Sequence, residues 1–341
     1  MTLEEGTWGK MNVFNEVNKL VNHEFIQEQV VTIYEVIQDV VLVDLDWPEI
    51  SELIAFRQAQ NQNPLSAPAY GVTLPVLTCL AVGGKAAAAV PVASAWALLE
   101  LAGHILDDLQ DQDNEAALWA DWPAAKSALI STTLLFAAQA CLAELAVDTT
   151  AQSDIIRSLS QACMQGVRGQ FIAPRTTSLE LYFRHLAAKA GITIAAVAYA
   201  GARTHTDNAE TLQLIFDFGL NLGLLMQLND DLRDLSTNSV ANDLKRGYYS
   251  LPVLQALTQT EHSYYARLSQ LLAAAAPTEA IITEIVAILV DMGAFSLATS
   301  MARVYQKKAL DCLEPFPAGN IIYLKDFLER FLKIESEQVE F

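Results

Sequence analysis

The sequence predicts an all-α protein, a single large helical bundle, and three observations predict it. Hydrophobic residues make up 52% of the chain and charged residues 18%, which is ample material for a sizeable core. Alanine is abundant and only 15 Gly and 11 Pro interrupt 341 residues, so the long Ala/Leu-rich runs read as helices. No stretch alternates with period two for long enough to make a sheet.

The elements follow in order. Residues 1–60 carry amphipathic helical patterns, with Val30, Val31, Ile33, Val36 and Ile37 at mixed three-and-four spacing. A loop is expected over 61–68, from Asn61-Gln62-Asn63-Pro64 to Pro68, and helix resumes near Leu74. Gly83-Gly84 marks a helix junction, and a helix from about Pro91 ends in the acidic run 107–115. Trp122-Pro123 makes a turn before a helix over 124–146. Further helices are expected over 150–170, 178–203, 208–235, 250–273, 278–297, 297–314 and 320–335. The polar linkers at 148–152, 204–208 and 236–242 are too short to divide the chain, so one domain over 1–341 is expected, its motif-bearing core about 70–260.

The net charge of −19 argues against nucleic acid and against an anionic membrane surface. Cys79, Cys141, Cys163 and Cys312 lie far apart with no zinc spacing and no disulfide framework, which fits a reduced, cytoplasmic protein. The acidic start Met1-Thr2-Leu3-Glu4-Glu5 lacks the apolar region of a secretory signal. The apolar window 86–106 is long enough to span a bilayer. It holds Pro91, Ser94 and Glu100 and runs into His104 and Asp107, and is read as a buried core helix with no membrane span.

Two acidic clusters stand out. Asp107, Asp108 and Asp111 occupy positions i, i+1 and i+4, and Asp230, Asp231 and Asp234 repeat the spacing. On an α-helix i and i+4 nearly eclipse and i+1 lies about 100° away, so three such carboxylates reach one point. Both clusters follow apolar helix, Ala97 to Ala102 before the first and Leu220 to Leu228 before the second. Carboxylates crowded there repel and lose hydration unless a cation neutralises them. Magnesium, which takes a carboxylate or two plus substrate phosphates, suits the pattern.

With these clusters the chain resembles the trans-isoprenyl diphosphate synthase superfamily, whose isoprenoid synthase fold encloses a central apolar cavity. Other stretches match in order. Gly83-Gly84-Lys85 is similar to the start of a GGKR segment, Gly169-Gln170 to a GQ motif, and Lys189 to the lysine of a KT motif. Gln227 precedes the second Asp motif as in the family, and Asp243-Leu244-Lys245-Arg246-Gly247 with Leu251-Pro252 is similar to the D-L-x-x-G-K-x-T-L-P stretch. The resemblance implies about three Mg²⁺ held by the facing Asp motifs with the substrate diphosphate. It also implies a homodimer, and binding of the leaving diphosphate by Lys189, Gln227, Lys245 and Arg246.

Departures from the pattern shape the functional expectation. Ala86 to Val90 follow Lys85 where the family has arginines, and no Arg pair follows Asp111. Tyr248 replaces a lysine, Ala190 a threonine, and no Asp follows Gly169-Gln170. Losing such cationic contacts weakens binding of a second diphosphate. The expected function is therefore a magnesium-dependent terpene synthase. It would ionise a C15–C20 prenyl or terpenoid diphosphate, C20 favoured, with water capture, deprotonation or cyclisation. The alternatives are a trans-prenyltransferase condensing with isopentenyl diphosphate, such as a polyprenyl or geranylgeranyl diphosphate synthase, and a ComQ-type peptide prenyltransferase, whose text resembles Asp107 to Trp119. Ala102 and Gly103, five and four residues before Asp107, are expected to leave the pocket deep, with Trp96 a possible floor. Phe171 is expected at the pocket, and Tyr182, Phe183 and Phe218 are further aromatic candidates for facing a carbocation.

Overall fold

The computed structural model describes residues 23–43, 45–63, 66–111, 117–172, 178–235, 244, 248–273 and 278–337. Every regular element among them is helical, so the chain is all-α, as the sequence predicts. The helices are α1 (23–37, running into a π-turn at Gln38–Leu42), α2 (Pro48–Asn61), α3 (Ala67–Ala81), α4 (Ala86–Asp111) and α5 (Ala124–Ala143). Next come α6 (Thr149–Ile172), α7 (Leu179–Leu186), a π-turn (Ala187–Gly191), α8 (Ile192–Arg203) and α9 (Ala209–Leu235). The last five are α10 (Leu251–Thr258), α11 (Tyr265–Leu272), α12 (Glu279–Asp291), α13 (Ala294–Leu313) and α14 (Ile322–Glu337). Backbone proximity groups the chain into two compact units, residues 1–152 with 201–206 and 318–324, and residues 153–200 with 207–317 and 325–341.

Several boundaries differ from expectation for local reasons. Helix α3 starts at Ala67 rather than near Leu74, because Ser66 Oγ accepts from the Ala69 N–H at 3.4 Å and Pro68 sits where a helix needs no donor. Helix α4 starts at Ala86 and holds Pro91 inside it. The helix expected over 250–273 breaks after Thr258, where Gln259 leaves helical dihedrals. The stop expected at residue 297 falls instead at Gly293, whose φ of +67° ends α12 in the left-handed region glycine tolerates.

In the first unit α3 and α4 form an antiparallel pair joined at Val82–Lys85. The Trp96 indole donates to the Gly71 carbonyl at 3.1 Å, level across the two helices. The turn requires glycine: Gly83 has φ +88°, and a Cβ on Gly84 would lie 2.4 Å from Cys79 Sγ. Ser94 donates to the Ile33 carbonyl at 3.1 Å, tying α1 to α4. By length and composition α4, α5 and α9 could each cross a membrane, yet most of the apolar window of α4 is buried against protein, as a core helix requires.

In the second unit α9 lies against the π-turn at Lys189 and against α13. Small residues set the approach: a Cβ on Gly219 would fall 2.7 Å from Ala195 Cα, and one on Gly223 2.8 Å from the Ala190 carbonyl and 2.9 Å from Gly191 Cα. Helices α10 to α13 close a core of Val253, Ala256, Leu268, Ile285 and Leu289.

Because the atoms opposing Gly223 are backbone, Gly223→Ala has no flexible neighbour to displace. We expect a loss of about 1–3 kcal/mol in chemical denaturation, the usual cost of overpacking a core contact.

Candidate active site

Helix α4 carries the first motif. Asp107 and Asp108 are half-buried at its C-terminal end, where the helix dipole adds negative potential to two adjacent carboxylates. The indole Nε1 of Trp119 donates to Asp108 Oδ2 at 2.8 Å. That indole is buried and held edge-on by Phe56, ring centroids 6.3 Å apart. One and two turns before Asp107, the Arg57 guanidinium lies 3.0 Å from Glu100 Oε2 and 3.3 Å from His104 Nδ1.

The two positions expected to set pocket depth part company. Gly103 is exposed and a Cβ there would meet nothing within 4 Å, as a residue some 40° from Asp107 around the helix should. Ala102 lies about 140° round from Asp107 and is fully buried in the core, so it lines no open space. Trp96 is likewise a packing residue, committed to α3. Lys85, the lysine of the segment similar to GGKR, lies at the opposite end of α4 from Asp107. Helix α4 separates it from Asp107 by 22 residues, roughly 33 Å along the axis at 1.5 Å per residue.

Helix α9 carries the second motif. Asp230 is half-exposed and paired with Arg233 three residues on, at 2.5 Å. Asp231 is only 4% exposed. Its Oδ2 accepts from the Tyr182 hydroxyl at 2.6 Å and from the Leu251 N–H at 3.1 Å, and Gln227 Nε2 lies 3.4 Å from Oδ1. Leu251 is the first residue of α10, whose opening N–H groups have no helical acceptor, and the Ser250 side chain does not cap them. Asp231 supplies that acceptor from another helix. Burial first, then the Asp231 charge, pushes the Tyr182 hydroxyl well above its ordinary pKa, so it stays protonated and donating.

Lys189 is exposed on the π-turn. A Cβ on Gly169 of α6 would sit 3.4 Å from the Lys189 nitrogen, so the Gly169-Gln170 and Lys189 motifs, separate in sequence, meet here. Phe218, an aromatic candidate for the pocket, is fully buried core, and Phe183 packs on Tyr182 and Tyr305. The side chains of Asp111, Asp234 and Phe171, and all of Lys245 and Arg246, fall outside the described residues. Among the described residues no three acidic, His or Cys side chains gather around one metal position. The described part of each motif supplies a pair of hard carboxylates, which suits magnesium because phosphates complete its shell.

The sequence did not single out Trp119 or Arg57, and it offered Tyr182 only as an aromatic face. The uncapped helix start at Leu251-Pro252 points to an acceptor such as Asp231 but not to Tyr182, which donates to the same carboxylate from another helix. Nothing local announces the Arg57–Glu100 pair, which joins residues in different helices.

A family model described as polyprenyl synthetase matches residues 72–289. The geranylfarnesyl diphosphate synthase of Aeropyrum pernix is 27% identical over 267 residues, covering 71% of this chain and 81% of that one. The short chain isoprenyl diphosphate synthase of Methanothermobacter thermautotrophicus is 26% identical over 261 residues, covering 71% and 78%. In fold the chain is similar to geranylgeranyl pyrophosphate synthetase from Pyrococcus horikoshii, with TM-score 0.77, 21% identity and coverage of 93% and 99%. It is also similar to a Caulobacter crescentus polyprenyl synthase complexed with calcium and isoprenyl diphosphate, with TM-score 0.76, 21% identity and coverage of 93% and 97%.

The Arg57–Glu100 pair yields a stability prediction. Its side chains are 11% and 19% exposed, so Arg57→Met strands a desolvated carboxylate. A loss of about 3 kcal/mol is expected in urea unfolding, and Arg57→Met with Glu100→Leu should recover most of it.

Proposed function

The chain belongs to the polyprenyl synthetase family, and on that premise we propose that it extends an allylic prenyl diphosphate with isopentenyl diphosphate. The observation that carries this reading is a pair of carboxylate-bearing helix ends, Asp107–Asp108 on α4 and Asp230–Asp231 on α9, within one family match that includes both. In the reaction the C1–O bond of the allylic substrate breaks and diphosphate leaves with the electron pair. The double bond of the second substrate captures the allylic cation, and a proton is lost to restore an alkene. Magnesium, when bound by Asp107 and Asp230 with their neighbours, supplies charge neutralisation to the departing diphosphate. The exposed Lys189 ammonium adds positive charge to the same leaving group. The exposed Asp230–Arg233 pair is weak enough for a divalent cation to displace.

The named curated relatives are prenyl diphosphate synthases, which supports extension over the terpene synthase expected from the sequence alone. One observation favours ionisation without extension. Between Arg57 and Lys126 the sequence has Lys85 as its single lysine or arginine, and that residue lies at the far end of α4 from Asp107. Arg57 itself is engaged by Glu100. The described residues from Arg57 to Lys126 therefore offer a second diphosphate little positive charge at the Asp107 end.

We also propose that two copies pair through α5, where Leu129 is 62% and Phe136 72% exposed one face apart by seven residues. Phe136→Glu should turn a dimer into a monomer in sedimentation equilibrium, with the helical signal kept.

Incubation of the chain with magnesium and C10, C15 or C20 allylic diphosphates, with and without isopentenyl diphosphate, tests the reaction. Extension predicts longer diphosphates only when isopentenyl diphosphate is present. A hydrocarbon or alcohol formed equally without it establishes the second reading instead. Asp107→Ala and Asp230→Ala should each lower turnover on the order of 100-fold or more, the usual scale for losing one group that stabilises developing charge.

A further inference from the structure

The two motifs share a detail that their spacing does not dictate. In each, the second carboxylate accepts a hydrogen bond from a buried aromatic donor elsewhere in the same unit: Trp119 Nε1 on Asp108 at 2.8 Å, and Tyr182 Oη on Asp231 at 2.6 Å. Both rings are fixed by other rings, Trp119 by Phe56 and Tyr182 by Phe183, with centroids 6.3 and 5.2 Å apart and planes near perpendicular. The hydrogen bond itself holds each carboxylate in one rotamer, and its donor is neutral, so it cannot compete with a cation for charge. In the second motif the first carboxylate differs in kind: Asp231 is buried, whereas Asp230 is half-exposed and sits in a displaceable surface ion pair.

We propose that Trp119 and Tyr182 are positioning residues for metal binding. Each fixes the second aspartate of its motif so that the first is presented to the cation. This rests on the magnesium reading above. In the second motif the division of labour follows from burial. Asp231 is 4% exposed, with Tyr182 and Leu251 on one oxygen and Gln227 near the other. It is tied to α7 and α10, and moving it would cost α10 the acceptor for its first N–H. Residues that orient metal-binding side chains from behind contribute roughly 10- to 100-fold to metal affinity.

Calorimetric titration of the full chain with magnesium in the presence of inorganic pyrophosphate, alongside thermal melts, tests this. Trp119→Phe and Tyr182→Phe keep the rings and remove the donors. They should weaken binding roughly 10- to 100-fold. Phe56→Leu and Phe183→Leu disturb the same rings and keep the donors. They should lower the melting temperature at least as much while changing affinity by about twofold or less. Donor variants that bind like the wild type, or lose no more affinity than the ring variants, overturn the proposal while leaving the magnesium reading intact. Wild-type affinity in Asp107→Ala and Asp230→Ala, or no binding by the wild type, overturns both.

Discussion

Crowded negative charge at the end of an apolar helix is the constraint on which the rest of the structure depends. Asp107 and Asp108 sit side by side where the dipole of α4 is itself negative, and Asp230 and Asp231 repeat the conflict on α9. The surrounding protein offsets part of that cost. In each pair the second carboxylate accepts from a neutral donor, Trp119 on Asp108 and Tyr182 on Asp231, and Asp231 also takes up the first N–H of α10. Under the magnesium reading proposed above, a cation would offset the rest. The tight packing of α9, on the π-turn through Gly223 and on α8 through Gly219, sets how far Lys189 stands from the motif helix.

Much of this was legible in the sequence, and the reasons are physical. Helix content followed from the dearth of Gly and Pro, and the motif helices from their long apolar runs. The Asp spacing works as a sequence signal because i and i+4 share a helix face whatever surrounds them. What failed were statements about direction and distance. Ala102 and Gly103 are adjacent in sequence, yet the 100° step between them puts one in the core and the other facing open space. Lys85 belongs to a stretch similar to a family motif, yet the length of α4 sets it far from Asp107. Boundaries depended on single residues such as Ser66 and Gly293, whose capping and positive φ have to be seen. Trp119, Tyr182 and Arg57 were missed because each acts on a partner in another element.

The scarcity of cations in the first unit changes how family membership should be weighed. Under the reading proposed above, the acidic motifs serve the step that breaks the C1–O bond, and the cations around them would decide whether a second diphosphate is held. Arg57 shows how little is needed to alter that balance: it reaches His104 on the motif helix at 3.3 Å, and Glu100 pairs with its charge.

The bond from the Leu251 N–H to Asp231 also has a topological consequence. The start of α10 is thereby tied to a carboxylate on α9. Any substitution that removes or moves Asp231 takes away the acceptor of the first N–H of α10, so a change in the motif is also a change in where the next helix begins.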